Sequence, residues 1–290
     1  MSGGALPLPR AGRRRRSRLG GLWLPLIVLA LIVAFALFGD LLTPFRHDQS
    51  NLLARNRPPV WLGGDWTYPL GTDRLGRDMV ARLVLGTRVS IGLALLGTVI
   101  GMILGTVLGL LAARLRGLVD AAVMALVDLQ ASIPFIIIAL GVLALYGNSL
   151  TVFIALLGVF GWEAYARMVR GGALAAHAQP YAEAARALAV PPVVIDARHI
   201  LPNVANLVIV QATLNFPQTI LLETGLSFLG LGVQPPLTSL GQLMGDGRDS
   251  LTRAWWLSVF PGTLILATTL SVCLIGDQLR DRLDPTLRNA

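Results

Sequence analysis

The chain has 290 residues, of which 54% are hydrophobic and only 14% charged, whereas an ordinary globular domain has about 25% charged residues. Long uncharged windows alternate with short charged ones, which is typical of a membrane protein and argues against a soluble core. All 24 basic residues are arginine, and the lack of lysine excludes a standard Walker A site and Schiff-base catalysis.

Six segments are apolar and long enough to cross a bilayer as helices, which takes about 20 residues. The third is interrupted by Asp120, Asp128 and Pro134, and the fourth is the weakest because it contains Glu163. The sequence predicts an all-α, polytopic membrane protein whose spans cover 20–39, 89–113, 118–146, 150–168, 204–231 and 254–276.

Arginine placement predicts the orientation. The tail 1–19, the short connection after the second span, the long connection after the fourth span and the tail 277–290 all carry arginines, and six spans place them on one side. That side is predicted to be cytoplasmic, with both termini inside. The net charge of +8 is therefore interpreted as topology control and not as nucleic-acid binding. A cleaved signal peptide is disfavoured, because the apolar run 22–38 exceeds the usual length of about 7–15 residues.

The predicted extracytoplasmic loop, 40–88, is polar and too short for an independent domain. Its end, 83–85, is apolar among arginines and is either a helix on the membrane surface or an extension of the second span. Asp73, Arg74, Arg77 and Asp78 alternate in charge, so they either dock another protein or pair with one another.

The long cytoplasmic connection, 170–203, reads as an elbow of two short helices. Residues 181–189 favour a helix, and the prolines at 191 and 192 are predicted to end it. A second helical piece is predicted to stop at Pro202. This elbow is either an idle connector or a handle for a soluble partner, which could approach closely over small residues that the first helix is predicted to expose: Ala182, Ala184, Ala185 and Ala187.

The Glu-Ala-Ala of 183–185, followed by Leu201 and Pro202, resembles the EAA loop of ABC importer permeases. That family has glycine where this chain has Ala189, so the prolines are predicted to make the turn instead. Three further blocks, within a similarity that covers about 68–288, resemble the dipeptide and oligopeptide permeases. The first two are typical of the second, "C-type" permease of a pair; the blocks are 69–78 with 86–90, 223–236 and 276–285.

The resemblance implies a permease of an ATP-driven peptide importer in the bacterial inner membrane. Its implied partners are an unlike B-type permease, two ATPase subunits, an extracytoplasmic peptide-binding protein and a peptide substrate. Glu183 is expected to fix the elbow through a charge-assisted bond, or else to be a solvated surface residue. Ala184 and Ala185 would allow close contact with an ATPase, and Leu201 and Pro202 would set where the elbow rejoins the membrane.

Ionisable groups inside a membrane are costly and usually face protein or a water-filled cavity. The candidates for lining the pathway are Asp128, Glu223 and, as weaker polar neighbours, Gln130, Gln211 and Asn215; alternatively they join subunits or pair with an arginine. Pro134 and Pro217 are predicted to kink their helices.

Two other classes of protein were weighed against a permease. A secondary transporter or channel subunit would need the spans but neither the elbow nor ATP. A membrane-embedded enzyme is disfavoured, because no catalytic motif or paired carboxylates lie close together in the sequence. The histidines match no metal-ligand spacing, and no cofactor is predicted.

Overall fold

The computed structural model describes residues 22–283, and every regular element within that range is a helix. The predicted all-α class is confirmed. The predicted tail 1–19 and the end of the predicted tail 277–290 lie outside the described residues. The named helices are α1 Trp23–Phe38, α2 Met79–Leu115, α3 Gly117–Ser132, α4 Phe135–Tyr146, α5 Leu150–Val159, α6 Trp162–His177, α7 Pro180–Ala187, α8 Pro192–Ile195, α9 Leu201–Phe228, α10 Leu240–Gly247 and α11 Trp256–Leu283.

Five helical segments are long and apolar enough to cross a membrane, and the bent pair α3 and α4 supplies a sixth if it counts as one span. Each overlaps one of the six predicted spans, so the polytopic architecture is confirmed. The five are Trp23–Leu42, Met79–Leu115, Leu150–His177, Pro192–Phe228 and Trp256–Arg282.

The second span begins earlier than predicted. Because α2 starts at Met79, the predicted loop 40–88 contains its first residues, 79–88, and 83–85 extends the span. Asp78 explains the start, since its side chain accepts a hydrogen bond from the backbone N–H of Ala81 (3.0 Å) and so caps the helix. Burial raises the pKa of the Asp78 carboxyl above its usual value. At 37 residues, α2 is about 55 Å long and exceeds the hydrocarbon thickness of about 30 Å.

The third span bends sharply at a proline. α3 and α4 meet at 91°, and Ile133, just before Pro134, is extended (φ −108°, ψ 126°). Proline disfavours the helical region in the residue before it, so the predicted kink at Pro134 is confirmed. Pro217, in contrast, lies inside α9, which runs without a break from Leu201 to Phe228.

The fourth span consists of two helices and ends later than predicted. α5 and α6 are joined by Phe160 and Gly161, and the combined segment ends at His177 instead of 168. Gly161 has φ +81°, and a Cβ there would collide with the Asn215 amide. Glycine is therefore required both by the backbone conformation and by the approach of α9.

A stripe of glycines lets α2 pack against α5 and α6 at backbone distance. Gly97, Gly101, Gly105 and Gly109 recur every four residues and face α5, the α5–α6 junction and α6. A Cβ at Gly97 would lie 2.8 Å from the Leu157 Cβ. Small residues at this spacing are the usual means of close helix packing in membranes, so α2 is the central helix on which the other spans assemble.

Candidate functional site

The elbow is formed by α7, α8 and a π-helical turn, Asp196–Ile200, that leads into α9. Pro180 occupies the first turn of α7, where its missing N–H costs nothing. The buried face of the elbow packs on the ends of α2 and α6 through small and aliphatic residues: Ala113, Ala173, Ala176, Ala182, Ala185, Ile195 and Ile200. The elbow is thus fixed to the bundle and is not a loose connector.

The alanines of α7 divide between two faces. Ala184 and Ala187 are exposed, as predicted, whereas Ala182 and Ala185 are buried against the bundle. The prediction that all four are exposed is therefore wrong for two of them, because residues three apart lie on the same helix face and that face binds α2 and α6. Only Ala184 of the predicted contact pair is free to meet another protein.

Glu183 is exposed beside Ala184. Its carboxylate forms no hydrogen bond or ion pair with any residue in the range 22–283, so no arginine there holds it. Within this chain Glu183 is a solvated surface residue, which was the alternative to a carboxylate that fixes the elbow. Its side chain is consequently available to a partner.

The turn after α7 corrects a prediction. Ala189 adopts φ +56°, the conformation that the glycine of the family pattern would take at low cost. Val190 donates its N–H to the Ala185 carbonyl (3.2 Å), which is the 6→1 bond of a Schellman motif. The turn is therefore made at Ala189 and not by the two prolines, of which Pro191 caps α8 and Pro192 opens it.

The predicted stop at Pro202 is also wrong. Pro192–Phe228 forms one continuous segment, and Pro202 lies in the first turn of α9. The π-helical turn explains this: Leu201 donates its N–H to the Asp196 carbonyl, five residues back, and such a wide turn accommodates a proline that has no N–H to offer. Leu201 and Pro202 are exposed where the elbow continues into the span.

The elbow also exposes large apolar side chains that the sequence analysis did not single out. Leu188, at the tip, is 77% exposed, and three others lie exposed on the same elbow: Tyr181, Val193 and Val194. A helical wheel of α7 could have found Tyr181, since Ala182 and Ala185 supply the buried face of that helix; the other three lie beyond α7 and its wheel does not place them. A cluster of exposed apolar residues next to Glu183 is typical of a protein-binding surface.

Polar contacts tie the elbow to the ends of α2 and α6. Asp196 lies 3.1 Å from the His177 Nε2 and 3.7 Å from the Arg114 Nε, measured from its two carboxylate oxygens. Arg186 of α7 donates to the His177 carbonyl (2.9 Å). The elbow is therefore joined to two spans by polar contacts as well as by packing.

Two of the predicted pathway residues are buried inside the chain. Glu223 has no exposed surface and accepts hydrogen bonds from the hydroxyls of Ser90 (2.9 Å) and Ser227 (2.7 Å). Ser90 in turn accepts the N–H of Leu240 (3.0 Å), so Glu223 connects α2, α9 and α10. Asn215 is 1% exposed and accepts from the Thr219 hydroxyl.

Asp128, Gln130 and Gln211 are more accessible. Asp128 is exposed on α3 and pairs with Arg167 of α6 (3.0 Å). Gln130 is half-buried; it donates to Glu163 (2.9 Å) and accepts from the indole N–H of Trp162 (2.6 Å). Gln211 is half-buried on α9. Of the five, only Asp128 combines a charge with a side chain open to the surroundings.

The charges of the loop before α2 mostly bind within the chain. Asp73 pairs with Arg77 (2.7 Å) and with the buried Arg82 (2.6 Å), and Arg82 also reaches Asp246 of α10 (3.0 Å). Arg74 lies 3.6 Å from Asp249. Of the four predicted residues, Asp73 and Arg77 pair with one another, whereas Arg74 pairs with Asp249 and Asp78 accepts hydrogen bonds from Thr43 and Ala81.

Comparisons with known proteins agree with this architecture of spans and an elbow. A family model described as "Binding-protein-dependent transport system inner membrane component" matches residues 105–289. A second, "N-terminal TM domain of oligopeptide transport permease C", matches residues 21–59. The chain therefore belongs to the family of binding-protein-dependent transport system inner membrane components, the permeases of ABC transporters.

Curated relatives match over nearly the whole chain. The di/tripeptide transport system permease protein DppC of Pseudomonas aeruginosa is 37% identical and aligns over 95% of this chain and 90% of its own length. The oligopeptide transport system permease protein OppC of Escherichia coli is 36% identical over 90% and 85%. The glutathione transport system permease protein GsiD of Pectobacterium atrosepticum is 34% identical over 91% and 86%.

A solved structure has the same fold. The inward-facing MetNI methionine ABC transporter contains a chain that matches with a TM-score of 0.57 and 23% identity, covering 71% of this chain and 98% of its own. The similarity shows that this protein has an ABC permease fold.

Proposed function

We propose that this chain is the C-type permease of an ATP-driven peptide importer and forms half of the translocation pathway. The observation that carries the proposal is the 37% identity to a di/tripeptide permease over 95% of the chain. It is supported by the three sequence blocks that resemble dipeptide and oligopeptide permeases. An unlike B-type permease supplies the other half, and an extracytoplasmic binding protein delivers the peptide.

The elbow is the site at which ATPase subunits act on this permease. It presents Glu183, Ala184 and the apolar Leu188 outward, while its other face packs on α2 and α6 and is joined to them by polar contacts. A surface that is open on one side and rigidly joined on the other passes a rigid-body movement to the spans, as alternating access requires. ATP is hydrolysed on the partner chains, and both termini are cytoplasmic in a bacterial cell.

The peptide pathway follows the exposed polar surface of the bundle. Asp128 and its partner Arg167 offer charged groups to a peptide. Gln130, two residues from Asp128 on α3, and Gln211, on α9, are half-buried and add polar groups. Asn215 and Glu223 support the pathway from behind by holding α9 against α2 and α10.

The test of coupling is the charge reversal Glu183→Arg. Because the Glu183 side chain is exposed and has no polar partner among residues 22–283, the variant is expected to insert and fold like the original, with little change in stability. Peptide uptake is expected to fall at least about tenfold, which corresponds to about 1.4 kcal/mol, while basal ATP hydrolysis by the complex continues. Uptake of labelled dipeptide and phosphate release are measured in proteoliposomes with the complete complex.

A matched control reverses a charge elsewhere on the elbow. Arg198 is exposed on the π-helical turn and not on α7, so Arg198→Glu should retain coupled uptake. Normal ATP-dependent uptake by Glu183→Arg, or uptake by the original protein without ATP, would contradict the proposed role.

A further inference from the structure

An open cavity of about 490 Å³ lies between the elbow and the ends of α2 and α6. Its charged lining consists of three arginines and one carboxylate, and a histidine completes the polar set: Arg114, Arg116, Arg186, Asp196 and His177. The cavity faces the same side of the membrane as the elbow and is distinct from the exposed face that carries Glu183. The coupling role uses contacts among some of these lining groups, but it assigns no ligand to the cavity itself.

The histidine in this cavity carries no charge. Arg186 approaches the His177 Nδ1 to 3.1 Å, and an arginine can only donate, so Nδ1 is the acceptor. The single ring proton is then on Nε2, which faces Asp196 at 3.1 Å. With the imidazole neutral, three guanidinium groups face one carboxylate, and the lining has an excess of two positive charges.

The single carboxylate cannot neutralise the three arginines. Asp196 is 8% exposed and is already occupied by His177 and, at 3.7 Å, by Arg114. Arg186 is directed to His177. The Arg116 side chain forms no hydrogen bond or ion pair with a residue in the described range, and it is exposed at the junction of α2 and α3, where its backbone has φ +50°.

We propose that this cavity binds a phosphate group, held mainly by Arg114 and Arg116. Planar guanidinium groups bind phosphate through two parallel hydrogen bonds, and an anion would balance the two uncompensated charges. Arg186 of the elbow lines the same cavity as Arg114 and Arg116 at the end of α2, so a phosphate bound there lies between the elbow and the bundle and joins them. The phosphate comes from an anionic lipid headgroup or from a soluble phosphate in the adjoining compartment, and both sources share this chemistry.

The experiment uses the full-length protein with the subunits that co-purify with it, delipidated in a neutral detergent. Its thermal unfolding midpoint is followed while phosphatidylglycerol, phosphatidylcholine or sodium phosphate is added at constant ionic strength. A ligand that binds only the folded state raises the midpoint. We expect a rise with phosphatidylglycerol or with phosphate and none with phosphatidylcholine.

The variants locate the site. Arg116→Gln removes an exposed and unpaired charge, so the protein should fold normally and need at least about tenfold more anion for the same rise, as expected for the loss of one charge-assisted pair. Arg198→Gln is the control, because it removes an exposed arginine of the same elbow that does not line the cavity. It should respond like the original protein.

The outcomes separate the sources and decide the proposal. A response to phosphatidylglycerol alone identifies a lipid headgroup, and a response to sodium phosphate identifies a soluble ligand; either supports the site. Absence of any anion response, or equal weakening in Arg116→Gln and Arg198→Gln, would overturn it. Loss of co-purifying subunits from Arg116→Gln with an unchanged anion response would show instead that the arginines bind a protein. The readout does not depend on transport, so failure of the proposed function would be seen separately.

Discussion

At the scale of single residues, Ala189 adopts a backbone conformation that its side chain opposes. A left-handed φ costs a residue with a Cβ about 1–2 kcal/mol relative to glycine, and Ala189 accepts this at φ +56° because the buried residues Ala182, Ala185 and Ile195 on either side of the turn fix its path. This packing and the hydrogen bond from the Val190 N–H to the Ala185 carbonyl offset the cost of the left-handed conformation.

Ala189→Gly is therefore expected to stabilise the protein. Relief of the left-handed strain should exceed the extra flexibility of glycine in the unfolded chain and leave a gain of up to about 1 kcal/mol. The free energy of unfolding in mixed micelles measures it. Ala187→Gly, in the exposed helix beside it, is the control and should lose stability by a similar amount; the same sign for both variants would show that the strain is absent.

The sequence identified Ala189 as unusual but could not say how the chain responds. An alanine in place of glycine leaves two solutions, a different turn or the same turn under strain, and the choice depends on contacts that are distant in sequence. The sequence likewise showed that Glu223 is an ionisable group inside a span, where it is costly, but it could not show which groups bind it. Its partner Ser90 lies 133 residues away and gives no sequence signal that links it to Glu223.

At the scale of helices, proline shows how far a local rule extends. Pro134 bends a span by 91°, whereas Pro202 opens a helix and Pro217 lies inside one. Proline has no N–H to donate in any of the three places, but whether the helix bends depends on the geometry of the neighbouring turns. At Pro202 the preceding π-helical turn keeps the helix continuous, and no pattern in the sequence predicts that turn.

The glycine stripe of α2 leads to a second prediction. A Cβ at Gly109 would lie 2.6 Å from the Ala166 carbonyl oxygen, while one at Gly92 on the same helix would meet nothing within 4 Å. Gly109→Ala should therefore push α2 from α6 and cost about 1–3 kcal/mol of stability, whereas Gly92→Ala should cost nothing. Unfolding of both variants in the same detergent provides the comparison, and equal stability would rule out packing at backbone distance.

At the scale of the whole molecule, hydrophobicity was sufficient to predict the spans. The five spans and the bent pair α3–α4 were located because each contains a long apolar segment, a signal that lies within one stretch of sequence. The ends were less accurate: α2 begins at Met79 and the fourth span ends at His177. The extension of the fourth span packs on the elbow, and the extension of α2 carries Arg82, which pairs with Asp73 and Asp246. These contacts stabilise both extensions as helix, and hydrophobicity alone does not predict them.

Orientation is the property on which the proposed mechanism depends, and arginine placement predicts it. The elbow and both termini should face the cytoplasm, with the loop before α2 outside. Cys273 is the single cysteine, so Cys273→Ser gives a background in which one new cysteine reports one position. Two exposed sites on opposite faces are suitable: Ala187 on the elbow and Leu53, 93% exposed, in the loop.

A maleimide that does not cross membranes should label Leu53→Cys in spheroplasts and leave Ala187→Cys unlabelled. In lysed membranes washed with urea to remove peripheral subunits, both should react, because the elbow is then open to the reagent. Without the wash, Ala187→Cys should react more slowly than Leu53→Cys, since a bound ATPase covers the exposed face of α7. Labelling of Ala187→Cys from outside intact spheroplasts would reverse the orientation, and an ATPase in the cytoplasm could then not reach the elbow.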